Sequence, residues 1–539
     1  MRPCRMRDHA LAQVPRSRLP ARIACMVHRM HPSSPLAAAR ARVAALQASL
    51  TASDGAPATL VETHISWLLL GRSTAYKLKK PLKLPFLDAT TLAARRGFCD
   101  EELRLNRRLA PSLYLDVVEI RDDGQGATFG GPGAVLDVAV RMRRFPDGAL
   151  WREMLIAGTL APHHVDDMAQ TLARFHRGAA VAPAGSAFGS AAAHAQVVQG
   201  LDETIQAPAL RTWMTRQLEA LAPWWSARQR QGHVRECHGD LHLGNVLQLD
   251  GQAAAFDGIE FDAALRWTDV IDDVAFLAMD LLANGRRMLA FRFLNAYLSA
   301  TGDYDALPGL RFSMVCRALV RAQVTALAQK QGVPPVDGCD ARAYLALAQA
   351  LPTAADPRLA ITHGLPGSGK SFVSQGVLET AGAVCVRSDV ERKRFFGLEA
   401  AVSSRDRVAG GIYDPATTQR TYARLHSVAD TALRSGWPVI VDAAFLRRSE
   451  RAAFAALAAG IGAPFSVLDC HAALPLLRQR IAARQAAGTD ASEADLAVLD
   501  KLAGADEALS ATERAAALVV DAAAPVSLPT IAAQWLAAT

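Results

Sequence analysis

An eight-residue stretch, Gly364–Ser371, constrains the fold of this chain more than any other part of its sequence. Its order is Gly-Leu-Pro-Gly-Ser-Gly-Lys-Ser, which fits the spacing G-x-x-x-x-G-K-[ST]. A short apolar strand is predicted before it and a helix after it. A loop of this kind points successive backbone N–H groups and the helix dipole at bound phosphates. The stretch therefore predicts a nucleoside triphosphate site, with Lys370 on the phosphates and Ser371 on Mg²⁺.

The eight loop residues are the expected ATP-binding set. They are Gly364, Leu365, Pro366, Gly367, Ser368, Gly369, Lys370 and Ser371. Downstream, a predicted strand running to Asp389 would place a carboxylate where it can deprotonate an acceptor hydroxyl; the alternative for Asp389 is a helix N-cap. Arg392, one helical turn later, is a candidate for holding the acceptor's own charge. A second buried strand ends in Asp442, the expected Mg²⁺ ligand, bound directly or through water.

Arg480 and Arg484 are i,i+4 neighbours on one face of a predicted helix. Such a pair suits a lid over the transferring phosphate, and a solvated helix face is the competing interpretation. The order of elements over 356–539 resembles the P-loop kinases related to polynucleotide 5′-hydroxyl kinases, gluconate kinases and zeta toxins. The arginine spacings are most similar to the polynucleotide-kinase branch. The resemblance implies phosphoryl transfer to a hydroxyl.

A second cluster of chemically suited residues lies upstream, in Cys237-His-Gly-Asp-Leu-His-Leu-Gly-Asn. Its spacing is that of a kinase catalytic loop, in which Asp240 accepts the acceptor's hydroxyl proton and Asn245 binds a metal. Twelve residues later Asp257 follows an apolar strand, where a further metal ligand is expected. One helix is predicted over 267–282.

Half of the eight lysines fall within 77–83, in a chain that otherwise prefers arginine. Lys77, on a predicted strand, resembles the lysine that holds the α- and β-phosphates in protein-kinase-like folds. Glu101 and Glu102 are both candidates for its glutamate partner, and we favour Glu102. Residues from about 55 to 330 resemble the aminoglycoside phosphotransferase family. That resemblance implies Asp240 as catalytic base and Asn245 and Asp257 as Mg²⁺ ligands.

Charge and cysteine usage exclude several other classes of protein. The net charge is +7, but residues 1–34 carry seven arginines and one acidic residue, so the remainder is nearly neutral. A global basic field for binding nucleic acid is therefore absent from the sequence. The eight cysteines are scattered without a C-x-x-C pair, which argues against zinc and disulfides and for a reducing, cytoplasmic compartment. No apolar run is long enough for a membrane span.

The sequence thus predicts α/β and α+β folds in series. We expect a disordered or spurious basic N-terminus (1–34), with Met26 or Met30 as alternative starts, and a bilobal protein-kinase-like domain (35–335). A linker helix (336–355) and a P-loop parallel α/β/α sandwich (356–539) follow. The pairing resembles bacterial fusions of a phosphotransferase with a predicted kinase.

The expected function is ATP- and Mg²⁺-dependent phosphorylation of a small-molecule hydroxyl by each domain, or of a nucleic-acid 5′ end by the second. The alternative is that one domain is a regulatory or antitoxin-like module controlling the other, with the P-loop domain acting as a zeta-toxin-like kinase. Antibiotic resistance through the first domain is a third interpretation. The sequence does not predict the oligomeric state.

Overall fold

The structure is a computed structural model that describes residues 35–84, 87–124, 126–330, 339–404, 407–408, 411–487 and 490–538. The predicted character of residues 1–34 falls outside this range. We call residues 35–330 the first unit and residues 359–538 the second unit. Within the described residues, no helix combines the length and the apolar character that crossing a bilayer requires.

The first unit begins with a helix and an antiparallel sheet. Six strands form this sheet in the order β1-β2-β3-β8-β6-β7, and β4 and β5 form a separate small hairpin. The helices and strands of this lobe are α1 (Pro35–Asp54), β1 (Thr59–Glu62), β2 (Ser66–Leu70), β3 (Thr74–Lys79), β4 (Lys83–Leu84), β5 (Leu87–Asp88), α2 (Leu92–Asn106), β6 (Tyr114–Asp122), β7 (Ala127–Phe129) and β8 (Ala134–Arg143). Apolar side chains of α1, including Val43 and Leu46, pack on one face of the sheet with Trp67 and Leu78.

The second lobe of the first unit is mainly helical. Its elements are α3 (Trp151–Ile156), α4 (Pro162–Gly178), α5 (Ala191–Gly200), α6 (Pro208–Ala220), α7 (Ala222–Arg230), β9 (Val234–Glu236), β10 (Val246–Leu249), β11 (Gln252–Ala255), α8 (Ala263–Arg266), β12 (Trp267–Asp269), α9 (Val270–Ala283), α10 (Arg287–Thr301) and α11 (Leu307–Lys330). The β10–β11 hairpin lies directly after the catalytic-loop motif and delivers the chain to Asp257.

The prediction of one helix over 267–282 is wrong at its start. Residues Trp267–Asp269 form β12, which pairs with β9, and the helix begins only at Val270. The reason is local. The Asp269 side chain accepts a hydrogen bond from the Ile271 amide and so caps the helix, while it also pairs with the buried Arg228.

One further helix, α12 (Ala341–Ala350), lies between the units and packs against α9 and α11. The second unit then forms a five-stranded parallel sheet in the order β14-β15-β13-β16-β17. Its elements are β13 (Leu359–His363), α13 (Lys370–Ala381), β14 (Val384–Arg387), α14 (Ser388–Arg394), α15 (Pro415–Arg434), β15 (Val439–Asp442), α16 (Arg448–Ile461), β16 (Phe465–His471), α17 (Leu474–Ala487), α18 (Leu496–Ala503), α19 (Ala511–Ala515), β17 (Ala517–Asp521) and α20 (Leu528–Ala537).

The helical lobe of the first unit and the second unit share one continuous hydrophobic core, which includes Phe291 and Leu307 of the first and Leu378 and Trp437 of the second. Helix α10 packs against the loop helix α13 and against β14, the edge strand of the parallel sheet. The units therefore meet through buried apolar contacts rather than through a solvated linker.

Candidate functional sites

The glycine loop of the second unit connects β13 to α13, as the sequence predicts, and its backbone requires glycine. Gly364 has a φ of 136°, and a Cβ atom placed there would lie 2.1 Å from the carbonyl oxygen of Cys470. Gly367 and Gly369 also have positive φ values. The loop therefore passes close to β16 and then turns into the N-terminus of α13, where the helix dipole favours an anion.

Three side chains at the start of α13 and the end of β15 form the polar centre of this loop. The Lys370 ammonium group donates to the carbonyl oxygens of Gly364 and Leu365, at 2.8 and 2.9 Å. The Ser371 hydroxyl donates to Asp442 Oδ2 at 2.6 Å. Burial lowers the pKa of Lys370, although the carboxylates of Asp442 and Asp389 oppose that shift.

This arrangement fits ATP and Mg²⁺ by its chemistry. A hydroxyl and a carboxylate in direct contact are oxygen ligands of the type that Mg²⁺ prefers, and Lys370 lies beside them. The hydroxyl of Ser368 is buried and has no hydrogen-bond partner within the described part of the chain. Ser371 and Asp442 would hold the metal, and the loop amides with Lys370 would hold the phosphates.

A cavity of about 830 Å³ opens from the loop. The cavity is lined by the five residues of this unit that were predicted to act beyond the loop: Asp389, Arg392, Asp442, Arg480 and Arg484. The structure thus brings together, on one cavity, side chains that are more than 90 residues apart in the sequence.

The predicted position of Asp389 at a strand end is wrong. Strand β14 ends at Arg387, which is also the N-cap of α14, so Asp389 is neither the last strand residue nor the cap. It lies in the first helical turn, where the helix dipole favours an acidic side chain. Its carboxylate accepts a hydrogen bond from the Tyr413 hydroxyl at 3.3 Å and faces the same cavity.

Arg392 is almost fully buried, at 5% exposure, although it carries a charge. Its guanidinium donates to the Ile412 carbonyl oxygen and the Thr418 hydroxyl, and it lies 4.9 Å from the centre of the Tyr413 ring. Its Nε atom has no hydrogen-bond partner, and no carboxylate among the described residues pairs with it. A buried cation of this kind on a cavity wall is suited to an anionic ligand.

The two arginines of α17 approach the loop from another side. Arg480 donates to the carbonyl oxygens of Gly367 and Ala522, and Arg484 donates to that of Ala494. Both side chains are partly exposed, with their guanidinium groups on backbone carbonyl oxygens. Arg387, which sequence reasoning missed, pairs with both Asp442 and Asp490. Asp442 could have pointed to Arg387, because the two residues end adjacent parallel strands and a buried carboxylate favours a cation beside it.

The first unit assembles a second cluster around its catalytic-loop motif. The Asn245 amide donates to Asp240 Oδ2 at 3.1 Å and to the Asp240 carbonyl oxygen at 2.9 Å. The backbone of Phe256 donates to that of Asn245, which holds Asp257 next to the loop. Burial alone would raise the pKa of Asp240, but His242 and Arg321 outweigh it and hold that pKa below its usual value.

Lys77 joins the two lobes at this cluster. Its ammonium group contacts Glu102 at 2.8 Å and also contacts Asp257. Burial would lower the pKa of Lys77, but these two carboxylates hold it well above its usual value. Glu101, the alternative partner, pairs with Arg104 and Arg266 instead.

The carboxylates of Asp240 and Asp257 and the amide of Asn245 form an oxygen-rich donor set that fits Mg²⁺. Asp257 has a φ of 62°, which is uncommon for a residue with a side chain and is typical of constrained functional positions. Asn245 and Asp257 would hold the metal, and Lys77 would contact phosphate oxygens.

Two further buried groups belong to this cluster, and sequence reasoning missed the first of them. Lys79, two residues after Lys77, pairs with Glu102 at 2.5 Å and also with Glu260. The concentration of lysines in this strand was the available signal. Asp273, which the sequence left without a role, accepts hydrogen bonds from the amides of His238 and Gly239 and so fixes the start of the catalytic loop.

Comparison with known proteins agrees with this division. Residues 89–311 match the model of the phosphotransferase enzyme family, and residues 359–508 match the model of an AAA domain. The uncharacterized protein Rv2004c of Mycobacterium tuberculosis is 30% identical over 442 residues, which cover 80% of this chain and 87% of that protein. An uncharacterized protein of Mycobacterium bovis, Mb2027c, matches equally.

Two solved structures each match part of the chain. A choline kinase from Cryptosporidium parvum Iowa II is 11% identical with a TM-score of 0.34, and the match covers 55% of this chain and 87% of that one. A sugar kinase from Janibacter sp. HTCC2649 is 20% identical with a TM-score of 0.27, covering 33% and 94%. The chain belongs to the same family as Rv2004c, and it joins a unit of the phosphotransferase enzyme family to a P-loop unit with an AAA domain.

Proposed function

We propose that the chain is an ATP-dependent phosphotransferase in which the second unit phosphorylates a hydroxyl group of an anionic acceptor. The observation that carries the proposal is the shared cavity, which brings the Lys370–Ser371–Asp442 centre together with Asp389 and Arg392. The cavity wall thus combines groups suited to phosphates and a metal with a carboxylate and a buried cation whose Nε has no hydrogen-bond partner among the described residues.

Each residue has a role that follows from its position. Asp389 would orient the acceptor hydroxyl and accept its proton, and Tyr413 holds that carboxylate in place. Arg392 would bind the acceptor's negative charge, which is satisfied equally by an acidic metabolite and by a nucleotide end. Arg480 and Arg484 would stabilise charge that develops during transfer. When bound, ATP supplies the phosphoryl group and Mg²⁺ offsets its charge.

The first unit is proposed to use the same chemistry with different parts. Asp240 would orient a second acceptor, Asn245 and Asp257 would hold Mg²⁺, and the Lys77–Glu102 pair would position phosphates. The acceptor of this unit is proposed only as a hydroxyl compound.

The first test compares Lys370→Ala and Asp240→Ala in the full chain, using transfer of labelled γ-phosphate to a panel of metabolites and oligonucleotides. We expect each variant to lose at least about a hundredfold of the transfer catalysed by its own unit, because each removes a group that acts on the reacting centre. Lys83→Ala, at an exposed lysine whose ion pair in the described structure is with Asp88, is the matched control and should retain full transfer. Phosphate release in the absence of any labelled acceptor would contradict the proposal.

A second candidate function is regulation of one unit by the other, with the P-loop unit as a toxin-like kinase. The shared core and the packing of α10 on the loop helix α13 favour it, because they place a helix of the first unit directly on the helix that begins at Lys370. Expression of the full chain with Asp240→Ala tests it. Growth arrest that Lys370→Ala relieves would support regulation, and unimpaired growth would count against it.

A further inference from the structure

Helix α12 belongs to neither of the two matched family models, since it falls between residue 311 and residue 359. It is nevertheless anchored. Asp340 caps its N-terminus by accepting from the Ala343 amide, and Tyr344 on its inner face is 1% exposed. The helix therefore presents a fixed, buried face to the first unit instead of serving as a loose tether.

A hydrogen-bonded path leads from this helix to the catalytic loop of the first unit. The Tyr344 hydroxyl donates to Asp280 Oδ1 at 2.6 Å. The other oxygen of the same carboxylate, Oδ2, accepts from the backbone amide of Leu243 at 2.9 Å. Leu243 lies between Asp240 and Asn245 in the sequence, and Asp280 is fully buried. Asn284 Nδ2 also approaches Oδ1, at the longer distance of 3.3 Å, so loss of the tyrosine hydroxyl removes the shorter hydrogen bond to a buried charge.

The ring of Tyr344 makes a second connection. The Arg321 guanidinium lies 5.8 Å from its centre, and the charge of Arg321 interacts favourably with the Asp240 carboxylate. The buried Nε atom of Arg321 has no hydrogen-bond partner in the described structure. The tyrosine ring therefore contributes to holding this cation where it acts on the catalytic loop.

We propose that Tyr344, in the segment between the two units, is a positioning residue for the first site and acts through Asp280 and Arg321 on the loop that carries Asp240 and Asn245. The kinetic consequence rests on the phosphotransfer proposed above, whereas the ordering of the loop does not. The first site is then completed by a helix that also leads, over about ten residues, into β13 and the glycine loop of the second site.

The test is hydrogen exchange of peptides covering residues 241–247 in the full chain without nucleotide, comparing wild type with Tyr344→Phe. Loss of the hydroxyl removes a buried hydrogen bond to a charged group, so we expect the Leu243 amide to exchange at least about tenfold faster. Tyr304→Phe is the matched control, because Tyr304 is also 1% exposed and donates to a carbonyl oxygen, that of Cys385, away from this loop. Its loop exchange should equal that of wild type.

Asp280→Asn, alone and combined with Tyr344→Phe, distinguishes an effect through the Asp280 carboxylate from a general destabilisation of the first unit. If the tyrosine acts through the carboxylate, adding Tyr344→Phe to Asp280→Asn changes loop exchange by less than about twofold. Where acceptor labelling by the first unit is detected, Tyr344→Phe should lower kcat about tenfold and leave the KM for ATP unchanged. The proposal would be overturned if the loop of Tyr344→Phe exchanged at the wild-type rate, or if Tyr304→Phe accelerated loop exchange to the same extent. Additive effects of the two substitutions in the double variant would overturn it as well. Because exchange is measured without turnover, it remains decisive even if no acceptor is ever labelled.

Discussion

Substitution of Asn295 by alanine tests how the two units are joined. Asn295 lies on α10 of the first unit, and its side chain reaches the edge strand β14 of the second. Its amide nitrogen donates to the Ala383 carbonyl oxygen at 2.8 Å, and its oxygen accepts from the Cys385 amide at 2.6 Å. The side chain thus takes the place of a sixth strand along this part of β14.

The expected magnitude follows from the two backbone groups that the substitution leaves unpaired. Each unpaired buried group costs about 1–3 kcal/mol. Water entering the space left by the side chain would satisfy some of this, which places the total near the lower end. We therefore expect Asn295→Ala to lower the free energy of unfolding by about 2–4 kcal/mol, a large fraction of a typical total of about 5–15 kcal/mol.

The measurement is unfolding by guanidinium chloride, followed by circular dichroism. Asn284→Ala is the matched control. Asn284 donates to the carbonyl oxygen of Asp280, four residues earlier, as Asn295 does to that of Phe291, and its Nδ2 also lies 3.3 Å from Asp280 Oδ1. None of its hydrogen bonds in the described structure reaches β14. We expect the control to cost less than about 1 kcal/mol. A cost for Asn295→Ala no greater than that of Asn284→Ala would refute the idea that the first unit supports this edge.

Two further predictions concern the loop and the pH dependence of stability. Gly364→Ala should weaken ATP binding by the second unit at least about tenfold by calorimetric titration, because the added Cβ would lie 2.1 Å from the Cys470 carbonyl oxygen. Alanine at Gly460 in α16, where no atom lies within 4 Å of the added Cβ and φ is not positive, should leave binding unchanged. For Glu513, burial opposes ionisation, but hydrogen bonds from Arg451 and Ser510 outweigh it and lower the pKa from 4.5 to about 2. Because the pKa of Glu513 is lower in the folded state, its ionised form stabilises the fold above pH 4.5, and this contribution is lost as the pH falls through about 2. Urea unfolding of Glu513→Gln should therefore show reduced stability at pH 7 and a difference from wild type that vanishes near pH 2. A difference that does not change with pH would contradict the assignment.

The sequence predicted the sites whose functional groups lie close together along the chain. The fold class and the two-unit organisation are confirmed by the family matches. A glycine loop and an H-x-D-x-x-x-x-N loop each place their groups within eight residues, so their spacing carries the geometry. Lys77 and Glu102 are 25 residues apart and were linked only through the family resemblance.

The groups that sequence reasoning missed depend on contacts between distant segments. Lys79 and Glu260 meet across 181 residues, and Tyr344 and Asp280 meet across 64. No local pattern distinguishes Tyr344 from any other apolar-face residue of a short helix, since its role depends on which helices pack beside it. The strand-end placement of Asp389 failed for a related reason. Whether Ser388 and Asp389 extend a strand or begin a helix is decided by the packing of α14 on α15.

The shared core changes which experiments can distinguish the two units. Separate expression of residues 356–539 follows naturally from the sequence, because prolines and glycines in residues 331–340 interrupt the helical pattern between the two units. In the structure, however, that cut would remove the hydrogen bonds that Asn295 and Tyr304 make at β14. It would also expose Trp437, whose indole N–H donates to the Leu307 carbonyl oxygen and whose ring lies 4.4 Å from the Arg311 guanidinium. An inactive fragment would then report a damaged edge strand, two residues from Asp389, and not a missing activity. Point variants in the full chain leave this junction intact, so the loss of one activity in them can be assigned to one site.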